Sequence, residues 1–254
     1  MEHLTVIPLG TVSPYCKDEQ NCPSFLVIYK DKKILLDCGN GSTRLLHLPD
    51  DLNGLNVFIS HFHKDHFGDL GLIQYASYVY HNLGLLNNEV EVYLPHIDYL
   101  DNKSAITKTL ESFTKYNDIS EVVKYMVDDI AITFHNNNSH TILSYAIKLE
   151  NDSFKIVYTS DIGNTNIDKL VEFSLNADLL ICESSFVKRH NVNSTTHLHA
   201  YEAADIAKRA NVSKLMLTHF WPETQKSEYL DEAREVFDNT IVAEEGKQLV
   251  LKSK

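Results

Sequence analysis

Ser60-His61-Phe62-His63-Lys64-Asp65-His66 places three histidines and an aspartate within six consecutive residues. Imidazole and carboxylate are the ligands that zinc and related divalent ions take when thiolate is absent. A loop of this kind leaving a strand end can turn His61 and His63 to one metal and Asp65 and His66 to a neighbouring one. Three residues downstream offer the same chemistry: His140, Asp161 in Tyr158-Thr159-Ser160-Asp161, and His219 in Leu217-Thr218-His219-Phe220. Taken singly, each reads as a surface or capping residue. Taken in this order behind the first cluster, they supply the remaining parts of a two-metal site.

The elements that must position these residues read as short strands alternating with helices. Residues 4–9 form a first strand. Residues 24–29 and 33–37 are apolar runs joined by Lys30-Asp31-Lys32, a hairpin signal. Residues 56–60 are a short buried strand that runs straight into the histidine loop. A helix over 70–83 carries Tyr75, Tyr78 and Tyr80, whose spacing reads as core or interface packing. Residues 90–94 are a strand closed by Pro95, 104–116 an amphipathic helix, and 130–134 a strand. Residues 142–149 and 154–159 flank Glu150-Asn151-Asp152-Ser153 in a second hairpin, with His140 before it and Asp161 after it. Then come a helix at 167–176, a strand at 179–182, a helix at 199–210 and a strand at 214–218 that ends on His219. A helix at 229–237 and a strand at 248–252 finish the chain. No repeat, low-complexity stretch or Pro/Gly/Ser-rich linker interrupts this order. The reading is one α/β domain over 1–254, two mixed β-sheets flanked by helices.

The chain has 254 residues, 43% hydrophobic and 23% charged, which excludes a disordered, collagen-like or coiled-coil protein. The formal charge of −12 sets up general repulsion towards a long polyanion such as tRNA. No apolar run approaches the roughly 18 to 20 residues of a membrane span. Met1-Glu2-His3-Leu4 lacks the basic start of a secretory signal. Cys16, Cys22, Cys38 and Cys182 show no CxxC spacing, and the five residues between Cys16 and Cys22 do not make a zinc knuckle. They read as free thiols of a reduced, cytoplasmic protein.

The order His61-x-His63-x-Asp65-His66, His140, Asp161, His219 resembles the metallo-β-lactamase superfamily over essentially the whole chain. That resemblance implies an αββα sandwich with a binuclear metal site between its sheets. It implies one zinc on His61, His63 and His140, a second on Asp65, His66 and His219, and Asp161 bridging both together with a water or hydroxide. Manganese or another divalent ion suits the same donor set. Two such ions lower the pKa of a bridging water and clamp attacking and leaving oxygens, and Asp65 could steer or deprotonate that water. Thr196-His197-Leu198-His199-Ala200 resembles the His-x-Thr motif of the ribonuclease Z branch, in which the histidine assists departure of an alkoxide from phosphorus. The match maps that role to His197. The chain departs from the motif at His199, where Ser or Thr is usual, and His199 reads as a packing or pocket-lining residue. Glu183, in Ile181-Cys182-Glu183-Ser184-Ser185, could orient His197. Phe67 and Trp221, beside His66 and His219, are candidate pocket walls.

Ribonuclease Z grips tRNA with an arm inserted between the ligands that correspond to His140 and Asp161. Here these lie only 21 positions apart, and the hairpin fills that interval. Armless proteins of this branch include the anti-Pycsar phosphodiesterases of bacteriophages and their bacterial relatives. The chain resembles them in Pro8-Leu9-Gly10-Thr11-Val12-Ser13-Pro14-Tyr15-Cys16, Asn21-Cys22-Pro23-Ser24-Phe25, the histidine loop, Thr159-Ser160-Asp161-Ile162-Gly163 and Leu217-Thr218-His219-Phe220-Trp221-Pro222. The resemblance implies two Zn²⁺ per subunit, a homodimer, and hydrolysis of 3′,5′-cyclic CMP or UMP, with cyclic AMP and GMP as further candidates. It implies a role against a bacterial cyclic nucleotide antiviral defence, in the host cytoplasm if the gene is viral. A ribonuclease Z-type tRNA 3′-endonuclease is disfavoured by the missing arm and the charge. A thioesterase or lactonase is disfavoured by His197, which acyl chemistry at zinc does not require. A non-enzymatic binding protein is disfavoured by the complete ligand set.

Overall fold

The apolar runs pair into two sheets that face each other across one core. The structure, a computed structural model, describes residues 2–96, 113–138 and 140–253. The first sheet contains β1 (His3–Gly10), β2 (Ser24–Tyr29), β3 (Lys32–Leu36), β4 (Asn56–Phe58), β5 (Val90–Pro95) and β6 (Thr114–Ile119). The second contains β7 (Tyr125–Val127), β8 (Ile130–Asn136), β9 (Tyr145–Glu150), β10 (Lys155–Tyr158), β11 (Leu179–Glu183), β12 (Leu215–Thr218) and β13 (Thr240–Val242). The last strand, β14 (Leu249–Lys252), returns to the first sheet beside β1, giving the order β14-β1-β2-β3-β4-β5-β6 against β13-β12-β11-β10-β9-β8-β7.

Each sheet is antiparallel on one side and parallel on the other. β3, β4, β5 and β6 run parallel, as do β10, β11, β12 and β13. Parallel strands need crossovers, and these supply the helices on the outer faces. Helix α1 (Lys64–Phe67) and α2 (Leu70–Asn82) follow β4, α3 (Asp168–Phe173) follows β10, α4 (Ala200–Arg209) follows β11, and α5 (Lys226–Arg234) follows β12. In α4 the buried Ala200, Ala203, Ala204 and Ala207 recur at helical spacing, so small side chains let its backbone lie close on the sheet. Between the sheets, Phe58 stacks on Tyr93 with centroids 4.1 Å apart and meets Phe134 at 6.1 Å, which ties the two layers together.

The parallel strands matter most for function. In open α/β sheets, ligand sites form beyond the carboxyl ends of such strands. Here β3, β4, β10, β11 and β12 lead within three residues into Asp37, the histidine loop, Asp161, the loop after Glu183 and His219.

Several elements differ from the sequence expectation. The helix expected over 104–116 falls in part outside the described residues, and its last residues, from Thr114, belong to strand β6 instead. That strand, Thr-Lys-Tyr-Asn-Asp-Ile, is mostly polar because it is an edge strand and buries little beyond Ile119. The three-residue strands β7 and β13 are too short to leave a periodic signal. Tyr75 and Tyr78 are exposed on α2, so the core reading of these rings is corrected.

Truncating Phe58 would leave a hole between the sheets. Phe58→Ala is expected to lower unfolding free energy by about 3–5 kcal/mol in denaturant melts. A loss below about 1 kcal/mol would mean that the stacked aromatics do not hold the layers together.

Candidate metal centre

Histidine ligation requires a ring nitrogen free of its proton and a ring that cannot turn. The local folding supplies both. Asp37, directly after β3, is fully buried, and its carboxylate accepts from the Ser60 backbone N–H (2.7 Å), Ser60 Oγ (2.8 Å), Tyr158 Oη (2.7 Å) and His66 Nδ1 (2.7 Å). Ser60 Oγ in turn lies 3.0 Å from His61 Nδ1. His140 Nδ1 lies 3.2 Å from the Thr196 carbonyl, and His219 Nδ1 lies 2.8 Å from Ser185 Oγ. This network assigns the proton to Nδ1 in His61, His66, His140 and His219, and leaves Nε2 facing inward. His63 is turned the other way, with its Nδ1 3.1 Å from His140 Nε2.

Asp161 stands at the middle. Its Oδ2 lies 3.5 Å from His61 Nε2 and 3.7 Å from His140 Nε2. Its Oδ1 lies 3.1 Å from His66 Nε2 and 2.9 Å from His219 Nε2. Asp65 Oδ2, fixed by the Ser13 hydroxyl at 2.7 Å, lies 3.7 and 3.8 Å from the same two nitrogens. The side chains thus form two adjoining sets, His61/His63/His140/Asp161 and Asp65/His66/His219, and Asp161 and His219 also make a third with His197.

Two observations fit these sets to divalent cations. His61 Nε2 and Asp161 Oδ1 are buried without a hydrogen-bond partner, although other lone-pair atoms crowd around them. Such orphans are costly in a folded protein unless something else binds them. All donors are imidazole or carboxylate, a set that suits zinc, manganese and similar ions.

The electrostatics agree. Burial pushes the Asp161 carboxyl up, but the imidazoles of His219, His66 and His61 override it and hold it well below the usual carboxylate range. Burial pushes His66 down, but Asp161 and Asp37 hold it well above the usual imidazole range.

Beside the cluster stands a second pair. Glu183, at the end of β11, is buried and accepts from His197 Nδ1 at 2.9 Å. Its oxygens also accept from the Ile162 N–H (3.0 Å) and Ser185 Oγ (2.9 Å). Burial alone would lower the His197 pKa, yet the Glu183 carboxylate pushes it up to about 9. The His197 ring stacks 5.3 Å from His219 and sits 5.2 Å from His140, with a quarter of its side chain open to solvent. Gly163 allows this approach: a Cβ there would fall 1.7 Å from the Thr195 carbonyl oxygen, so the Asp161 and His197 loops touch backbone to backbone.

The beta-lactamase superfamily domain matches residues 32–220. The chain belongs to this family. Its two-sheet architecture is the metallo-β-lactamase fold. The crystal structure of the metallo-beta-lactamase fold protein YhfI from Bacillus subtilis superimposes with a TM-score of 0.86 at 26% identity, covering 99% of this chain and 100% of that one. In sequence, the probable metallo-hydrolase YhfI of Bacillus subtilis is 30% identical over 248 residues, 94% of this chain and 96% of YhfI. The ribonuclease Z of Archaeoglobus fulgidus is 28% identical, but its alignment spreads over 296 positions to cover 93% of this chain and 94% of that protein.

Within the superfamily fold, all seven residues expected as metal ligands converge, and Glu183 reaches His197 as expected. Two other candidates do not face the cluster. His199 is the N-cap of α4: its backbone N–H and Nδ1 both meet Glu202 Oε2, at 2.8 and 3.2 Å, and its ring lies beside Phe186 and Tyr201. Its odd residue type in the motif reflects helix capping. Phe67 packs on Phe62 at 5.5 Å under the Lys64 ammonium, on the outer apolar layer of the first sheet, so the pocket-wall reading is corrected. Trp221 is partly exposed, edge-on to Tyr15 at 6.2 Å. Sequence reading missed Asp37, Ser13, Ser60 and Ser185. Asp37 carries one readable signal, since it closes a buried strand where a charge needs partners.

Two predictions follow from these networks. Ser185→Ala removes the acceptor for His219 Nδ1 and is expected to weaken divalent-ion affinity about 10- to 100-fold in competition with a chromophoric chelator; unchanged affinity would mean that Ser185 does not orient the ring. In chelator-treated protein followed by NMR, the His197 ring is expected to titrate at about 9. In Glu183→Gln it is expected to fall towards the ordinary ~6.5, because the carboxylate that chiefly raises it is gone and only Asp161 still opposes burial. The same midpoint in both proteins would refute the pairing.

Proposed function

We propose that the protein is a metal-dependent phosphodiesterase that opens 3′,5′-cyclic mononucleotides, cyclic CMP or UMP foremost, to nucleoside monophosphates. The observation that carries this reading is the Glu183–His197 pair beside the cluster. Hydrolysis of an acyl ester or thioester at a metal centre has no need of a separate imidazolium there, whereas a ribose alkoxide leaving phosphorus needs a proton. The relatives named metallo-hydrolase and ribonuclease Z support hydrolysis as the reaction class.

Two divalent ions, zinc in this reading, would be held by His61, His63, His140, Asp65, His66, His219 and the shared Asp161, and would supply positive charge for the phosphoryl oxygens and an ionised water. The chain's own residues do the rest. Asp161 keeps the two sets at a fixed separation. Ser13 holds Asp65 at the edge of the second set, where its carboxylate can steer or take the proton of the attacking water. The water oxygen bonds to phosphorus, its proton passing to Asp65, as the P–O3′ bond breaks, and His197 delivers its Nε2 proton to the 3′ oxygen, so that a 5′-monophosphate and a free 3′ hydroxyl result. Glu183 stabilises the imidazolium before the transfer.

A small substrate fits this chain better than tRNA. The interval between His140 and Asp161 is spent on β9 and β10. The long ribonuclease Z alignment indicates segments in that relative which have no counterpart here. A charge of −12 repels an extended polyanion, while cations at the cluster attract a single phosphodiester. This reading makes the protein an eraser of cyclic nucleotide signals, with antiviral immunity as the setting that the resemblance to anti-Pycsar enzymes suggests.

A panel of cyclic CMP, cyclic UMP, cyclic AMP, cyclic GMP, bis(p-nitrophenyl) phosphate and a precursor tRNA tests it. Zinc-loaded protein is expected to open cyclic mononucleotides and leave tRNA intact. His197→Ala should slow cyclic nucleotide hydrolysis about 100- to 10,000-fold while sparing most activity on bis(p-nitrophenyl) phosphate, whose leaving group needs no proton. Equal losses on both substrates would sink the proton-donor role. Clean tRNA cleavage with idle cyclic nucleotides would replace the whole reading with ribonuclease Z.

A further inference from the structure

Two segments that leave the metal centre run side by side. Val12 and Phe220 form an isolated parallel bridge, the Ser13 N–H donates to the Phe220 carbonyl at 3.0 Å, and the Phe220 N–H donates to the Thr11 carbonyl at 2.9 Å. Each segment has a foot in the cluster: Ser13 through its hydroxyl on Asp65, and His219 through its own ring. Two residues beyond each foot stands an aromatic ring. Tyr15 is 45% exposed and Trp221 37%, and the two meet edge-to-face at 6.2 Å and 72°.

The segments are held from behind. The Trp221 backbone N–H donates to Tyr229 Oη at 3.0 Å, and Tyr229 is itself buried against Phe220 at 4.8 Å. The Tyr15 hydroxyl donates to Glu223 at 3.1 Å, and Glu223 also pairs with Lys17 at 3.5 Å. These contacts fix the Trp221 main chain and the Tyr15 hydroxyl and leave both rings partly exposed. An edge-to-face pair leaves a ring face free.

The spacing suits a nucleotide. Two residues of chain reach at most ~7 Å, the same order as the distance from phosphorus across ribose to the base. Every base has a π-face that stacks on an aromatic side chain. We propose that Trp221, braced by Tyr15, is the platform on which the substrate's base stacks, and that it sets the preference for nucleotides over diesters that lack a base. This rests on the phosphodiesterase reading for its substrate class.

Trp221 is the sole tryptophan of the chain, so its emission reports on the platform directly. Titration of zinc-loaded protein with CMP and AMP is expected to quench it saturably, with ribose 5-phosphate and inorganic phosphate giving little change. Equal quenching by ribose 5-phosphate, or none by any ligand, would overturn the proposal. In kinetics, Trp221→Ala is expected to raise KM for cyclic CMP about 5- to 150-fold, with Trp221→Phe recovering most of the loss. The rise should be at least fivefold larger than that for methyl riboside 3,5-cyclic phosphate, which has no base. Equal rises on both substrates would show that Trp221 only braces the loop and would overturn the platform. Should wild type open no cyclic nucleotide, the functional reading falls, and the fluorescence titration still decides the platform.

Discussion

A carboxylate buried between two sheets is the constraint on which the rest of this site depends. Asp37 has no solvent to stabilise its charge, and an unpaired ion there would be prohibitive. It is satisfied by donors from both layers: Ser60 and His66 from the first sheet's loop, and Tyr158 Oη from β10 of the second. The same bonds that make the charge tolerable therefore fasten sheet to sheet at the cluster. They also fix the first two rings, His66 directly and His61 through Ser60. Ligand geometry and layer packing are here a single set of interactions.

The backbone around the cluster is bent to serve it. Asp37, Ser160 and His219 have φ of 58°, 53° and 65°, a left-handed conformation that non-glycine residues adopt at some cost. All three close parallel strands, where the chain must turn sharply for a side chain to enter the space between the sheets. The strain is tolerated because the strands before these turns are buried on both faces and cannot shift. Short buried strands thus do more than make a core. They provide rigid mounts for residues that would not by themselves hold these positions.

How much of this was legible in the sequence depended on contiguity and on residue type. The loop from His61 to His66 was readable because rare residue types crowd into one turn, and strand edges pointed to His140, Asp161 and His219. The resemblance of the motifs supplied the fold in outline and placed His197. The supporting residues were not readable. Ser13, Ser60 and Ser185 are common residues whose role exists only once segments far apart in sequence meet. His199 packs as read, buried beside Phe186 and Tyr201, but its role in capping a helix through Glu202 shows only in the fold. Phe67 misled because adjacency to a ligand says nothing about direction: α1 turns its ring to the outer layer while His66, one residue earlier, turns inward. The polar edge strand β6 was invisible to a pattern search that looks for burial.

Glu183 carries the argument furthest. One of its oxygens holds His197, and the other accepts from Ser185, whose hydroxyl lies against His219 Nδ1. A metal-ligand ring and the candidate proton donor are therefore oriented by one buried carboxylate, and that carboxylate is itself pinned by the backbone N–H of Ile162, next to Asp161. A displacement of Glu183 cannot alter the donor without altering the ligand. Buried charged networks of this kind respond as units, so substitutions at Glu183, Ser185 and His197 should be non-additive. The separation between the group that would release a leaving oxygen and the ions that would receive the attacking one is thereby set inside the protein, before any substrate arrives. Such preorganisation is what a phosphodiester bond demands, because its hydrolysis offers little covalent chemistry for a protein to assist beyond charge and position.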